Sequence, residues 1–93
     1  MEVIQRPLIM RHNQRLSYED LRDETAEAVQ TYAGTQSELA EKLGVHKSSI
    51  SRAIREAGPA FSSLQMRILE EAYPDYLLEA EEPVVTFRVR RRE

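Results

Sequence analysis

Residues 36–54 read Gln36-Ser37-Glu38-Leu39-Ala40-Glu41-Lys42-Leu43-Gly44-Val45-His46-Lys47-Ser48-Ser49-Ile50-Ser51-Arg52-Ala53-Ile54. Thr35 and Glu38 stand in capping-box register, so a short helix is expected over 36–43 with Leu39, Ala40 and Leu43 facing inward. Ala40 is small where two helices must cross closely. Gly44, four residues later, can take the left-handed conformation of a tight turn. Val45 then plugs the corner, and Ile50 sits where a second helix packs on the first. That second helix is expected over 47–57, with Ile50 and Ile54 as its core pair and Gly58-Pro59 as its stop. Two short helices joined by so compact an elbow make a helix-turn-helix.

The outer face of the second helix would hold Lys47, Ser48, Ser51, Arg52 and Arg55. Ser48, Arg52 and Arg55 follow i, i+4, i+7 spacing and so line one side. Every one of these is a donor or a small polar residue. A helix that enters the DNA major groove needs such a face: Arg and Lys donate to guanine O6 and N7, and Ser serves donor or acceptor edges. A helical hairpin in a packed bundle, with Arg52 merely solvated, is the plainer reading of the same residues.

Working outward, Ser17 and Asp20 form a second capping signal. Leu21, Thr25, Ala28, Val29 and Tyr32 recur at helical spacing, which predicts a helix over 18–33 stopped by Gly34. A fourth helix is expected from Phe61, with Ser62 as cap, Gln65 at the capping-box position and Phe61 stapled to Met66. Its apolar stripe is Leu64, Ile68, Leu69 and Ala72, and Pro74 ends it. Residues 11–16 read as loop and 75–80 as a further helical turn. Residues 2–10 read as a strand, as do 83–91, where Val85, Phe87 and Val89 alternate with polar residues. The expected fold is therefore mainly α: a helix-turn-helix bundle of four to five helices with short terminal strands, a small α+β domain over 1–93.

Residues 43–54 resemble the turn and recognition helix of phage Cro and lambda-repressor-type regulators. The resemblance is close over some 20 residues and loose over about 60, counting the flanking helices. It implies base contacts from Lys47, Ser48, Ser51 and Arg52 and a phosphate contact from Gln36, with His46, Ser49 and Arg55 as further phosphate candidates. It also implies repression of transcription as a homodimer on a palindromic operator. Two features depart from the pattern. His46 stands where Ser or Thr often caps the recognition helix, and the strand at 83–91 is foreign to the five-helix repressor domain.

The chain has 93 residues, 41% of them apolar and 31% charged, which fits one folded domain. It has no cysteine, which excludes a disulfide framework, a thiolate metal site and thiol catalysis, and agrees with a cytoplasmic location. No apolar run approaches a membrane span, and Arg6 and Pro7 break the N-terminal apolar stretch that a signal peptide would need. His12 and His46 belong to no ligand or triad spacing, so no catalytic residue, metal or cofactor is expected.

The net charge of −3 is unevenly spread. Lys47, Arg52 and Arg55 face only Glu56 within 46–57, whereas 68–82 holds Glu70, Glu71, Asp75, Glu79, Glu81 and Glu82 and no basic residue. Basic blocks between acidic ones can present a positive face on an acidic protein. A lone hairpin is unstable in water, so strands 2–10 and 83–91 are expected to pair and to join a second copy as a β-mediated homodimer. Arg88, Arg90, Arg91 and Arg92 would then guard a strand edge or touch phosphate. Two other classes remain open: a protein-interaction module, such as an antitoxin binding its toxin, and a DNA-positioning component of a partition or replication assembly.

Overall fold

The computed structural model describes residues 14–80 and 86–92. Its elements are β1 (Arg15–Leu16), α1 (Tyr18–Thr31), α2 (Gln36–Leu43), α3 (Lys47–Ala53), α4 (Pro59–Ala72), β2 (Tyr76–Ala80) and β3 (Phe87–Arg91). The architecture is small α+β, four helices with a three-stranded antiparallel sheet of order β1-β3-β2.

Both capping boxes form. Ser17 Oγ accepts from the Asp20 N–H at 3.1 Å, and Asp20 Oδ2 accepts from the Ser17 N–H at 3.1 Å. Thr35 and Glu38 exchange the same pair of bonds at 3.0 and 2.7 Å. Each box satisfies two backbone donors that the first helical turn would otherwise leave orphaned. α1 ends earlier than its periodicity predicts, with Tyr32 as its extended cap residue. Gly34 is therefore not the stop. A Cβ there would strike the Glu38 carboxylate and come within 3.0 Å of the Tyr32 ring, so Gly34 makes room for the second capping box.

Gly44 closes α2 at φ +74°. Its N–H donates to the Glu41 carbonyl at 3.1 Å, and the Val45 N–H donates to the Ala40 carbonyl at 2.9 Å. These are the paired bonds of a Schellman turn, and they set the direction in which α3 leaves. Nothing lies within 4 Å of a Cβ built at Gly44, so replacement by Ala meets backbone strain alone. Gly44→Ala should cost about 1–2 kcal/mol of stability, read as a lower urea midpoint with an unchanged slope.

α3 ends at Ala53 rather than continuing to residue 57. The cause is Gln65 on α4, whose side-chain amide donates to the Ala53 and Glu56 carbonyls at 2.7 and 2.8 Å. Gln65 thus plugs the C-terminus of α3 and takes no part in a capping box. Gly58, at φ +121°, lets the chain reverse, and Pro59 starts α4 instead of merely stopping α3. Proline suits the first turn of a helix, where its missing N–H would have no partner. Ser62 accordingly lies inside α4, its hydroxyl donating to the Pro59 carbonyl at 3.2 Å. Phe61 is not a staple either, since it lies within the first turn of α4 instead of before its N-cap, and its ring sits under Arg52.

Residues 76–80 are strand, not helix. Tyr76-Leu77-Leu78-Glu79-Ala80 is too short for its period to identify it, and pairing with β3 decides the matter. Leu78 stands opposite Val89, and Glu79 opposite Arg88. The Leu78 N–H also donates to Glu70 Oε2 at 2.9 Å, tying the strand to α4. On the other side of β3, Arg15 pairs with Arg88 and Leu16 with Phe87. The described partners of the C-terminal strand are thus 76–80 and 15–16, which read as helical turn and loop in the sequence, and 87–91 is the central strand, so its arginines guard no sheet edge. Strand 2–10 and residues 83–85 lie outside the described residues.

Leu16, Leu78, Phe87 and Val89 are buried from the sheet side. They meet Leu21, Ala28, Leu39, Ile50, Ala53, Ile68 and Leu69 from the helices in one apolar core. α1 and α4 form the central layer, with the sheet packed on both; α3 rests on α2, α4 and α1. No helix among the described residues is long and apolar enough to cross a membrane.

Candidate nucleic-acid interface

α3 divides cleanly. Ile50 and Ala53 are fully buried, and Ala40 of α2 is buried against the same core. His46, Lys47, Ser48 and Arg52 are exposed, and Ser49 and Ser51 are half-buried. For Ser48 and Arg52 the separation follows from helical spacing, because the apolar pair at i and i+3 points away from them; Lys47 is exposed as the first residue of the helix.

Ser51 and Gln36 meet. The Ser51 hydroxyl donates to Gln36 Oε1 at 3.3 Å, joining the first residue of α2 to the middle of α3. Arg52 is held twice. Its Nε donates to Glu56 Oε2 at 3.4 Å, and its guanidinium carbon lies 5.0 Å from the centre of the Phe61 ring. Arg55 differs from its sequence placement. Because α3 has ended, Arg55 lies in a tightened turn, its N–H donating to the Arg52 carbonyl at 3.0 Å. It is exposed, but it no longer extends the row of Ser48 and Arg52 along one helix. His46 occupies the N-cap position with no side-chain capping bond.

The frame behind this face is fixed at several points. Lys42 on α2 and Glu71 on α4 form an ion pair at 2.8 Å. The hydrogen bond to Glu71, and then its charge, raise the Lys42 pKa above the ordinary lysine value. Arg67 on α4 donates to the Leu43 carbonyl at the end of α2. α4 therefore grips the C-termini of both short helices, through Arg67 and through Gln65.

Gln65, Phe61 and Glu56 are the residues that sequence reasoning misses. The i, i+4 spacing of Arg52 and Glu56 was available as a signal. Nothing local points to the other two, whose roles arise only when α4 folds back on α3. Comparison with protein-family models, with curated proteins and with solved structures gives no match for this chain.

Proposed function

We propose that α2 and α3 form a helix-turn-helix and that the protein is a sequence-specific double-stranded-DNA-binding transcriptional regulator, a repressor acting as a homodimer. The observation that carries this reading is the face of α3. Lys47, Ser48 and Arg52 stand exposed on it without an acidic neighbour in the helix itself, while Ile50 and Ala53 anchor the opposite side.

In this reading α3 lies in the major groove. Lys47, Ser48, Ser51 and Arg52 read base edges, and Gln36, His46, Ser49 and Arg55 meet the flanking phosphates. The Gln36–Ser51 hydrogen bond supports the assignment, since it ties a backbone-contacting position to a base-reading one. A homodimer built through the strand regions would present two copies of α3 to successive turns of the duplex, about 34 Å apart. A repressor of this kind acts by occupying a promoter, which asks nothing more of the chain than tight, specific binding.

Selection of binding sites from random duplex DNA at physiological salt tests the proposal, because non-specific affinity is weak there. The expected result is a two-fold symmetric motif with half-sites one helical turn apart. An asymmetric motif would keep DNA recognition and remove the homodimer. No enriched motif would overturn the reading and favour a protein-interaction module.

A further inference from the structure

Arg52 is seated in a way that a solvated arginine is not. Phe61, from the first turn of α4, takes one face of the guanidinium at 5.0 Å from the ring centre. Glu56, from the turn after α3, takes the Nε edge at 3.4 Å. Among the described residues these are its only side-chain partners, and neither bonds the edge bearing Nη1 and Nη2. Arginine has a long stem with large rotamer freedom, and bidentate recognition of guanine requires two parallel donors in one fixed plane. A ring below and a carboxylate behind fix that plane while leaving two donors outward. Glu56 also sets a negative charge beside the basic face, and a negative charge weakens attachment to any phosphate backbone.

We propose, resting on the DNA-binding reading above, that Glu56 and Phe61 are specificity-determining positioning residues. Neither reads a base. Together they hold Arg52 in the plane that reads a guanine, and Glu56 in addition suppresses non-specific binding. Specificity then depends on two residues outside the recognition helix.

The test compares wild type, Glu56→Gln, Phe61→Leu and Phe61→Trp on three duplexes: the selected site, that site with the Arg52-read guanine replaced, and a random sequence at the same salt. Glu56→Gln and Phe61→Leu should each lower discrimination at that one base pair by about two- to five-fold, the scale of one exposed ion-pair or cation–π contact. Discrimination at other positions should stay unchanged. Glu56→Gln should also tighten binding to the random duplex, and Phe61→Trp, which keeps an aromatic face, should preserve discrimination. Unchanged discrimination in both variants would overturn the proposal, as would an equal loss at every position, which marks a general structural effect.

A second readout needs no DNA. The Arg52 Nε–H resonance of the free protein should be displaced by the Phe61 ring current and return to its solvated position in Phe61→Leu. A solvated position in wild type would overturn the seat directly. If the seat is present but wild type prefers no duplex, the DNA-binding reading is what has failed.

Discussion

Gln65→Leu should cost about 1–3 kcal/mol of stability, because it leaves the buried Ala53 carbonyl and the half-buried Glu56 carbonyl without their donor. Gln65 is fully buried, and its amide donates to the Ala53 and Glu56 carbonyls. Leucine nearly matches the volume, so the loss measures the missing donors rather than a cavity. A domain of this length has only about 5–14 kcal/mol of stability to lose. Urea unfolding should therefore show a large drop in midpoint.

Gln65→Glu tests the same site through pH. A carboxylate would face two carbonyl oxygens, acceptor against acceptor, so burial should raise the pKa of Glu at 65 above its unfolded value. The folded form then binds the proton more tightly than the unfolded form. The variant should be most stable below the unfolded carboxylate pKa and lose stability as pH rises toward the folded one. Wild type provides the reference for groups common to both. Equal stability of Gln65→Leu and wild type would mean that the two carbonyls find other donors.

The second large effect concerns binding. Arg52→Ala should weaken the preferred duplex by about 1–3 kcal/mol and relax the sequence requirement at one base pair, the cost of a bidentate guanine contact. Its effect on folding should be small, because the ion pair with Glu56 is exposed and such pairs contribute about 0–1 kcal/mol. Titrations on the selected and on a random duplex separate the possibilities. Equal loss on both would make Arg52 a phosphate contact and remove it from base recognition.

Much of the helical part was legible because its signals are local. Ser17 with Asp20 and Thr35 with Glu38 announce helix starts within four residues, and Gly44 announces a left-handed turn by its own lack of a side chain. Ser48 and Arg52 are exposed as their spacing from buried Ile50 predicts. The misreadings arise where a distant element decides. Helical propensity alone would let α3 run on past Ala53, but Gln65 claims the carbonyls there. Pro59 reads equally well as the end of one helix or the start of the next, and only the reversal at Gly58 selects the second. Tyr76 to Ala80 carries no period, and Arg15 and Leu16 carry none either. Both become strand because β3 offers them hydrogen-bonding partners. At the interface, the i, i+4 partner of Arg52 could be read from spacing, but its aromatic support could not.

The central place of β3 has a consequence for the order in which the molecule assembles. β3 joins residue 15 to residue 88 on one side and residue 80 to residue 87 on the other. The helices can dock before β3 arrives, since their contacts close shorter loops than the pairing of β1 with β3 does. The pairing of β1 with β3 must close a loop from residue 15 to residue 88, and chain closure of that length is entropically slow to reward. During synthesis the helical layer thus emerges before the strand that completes the core, and Leu16 and Leu78 wait for Phe87 and Val89. Without β3, Leu16 and Leu78 would lose the neighbours that cover them, so the apolar core closes only when that strand is in place.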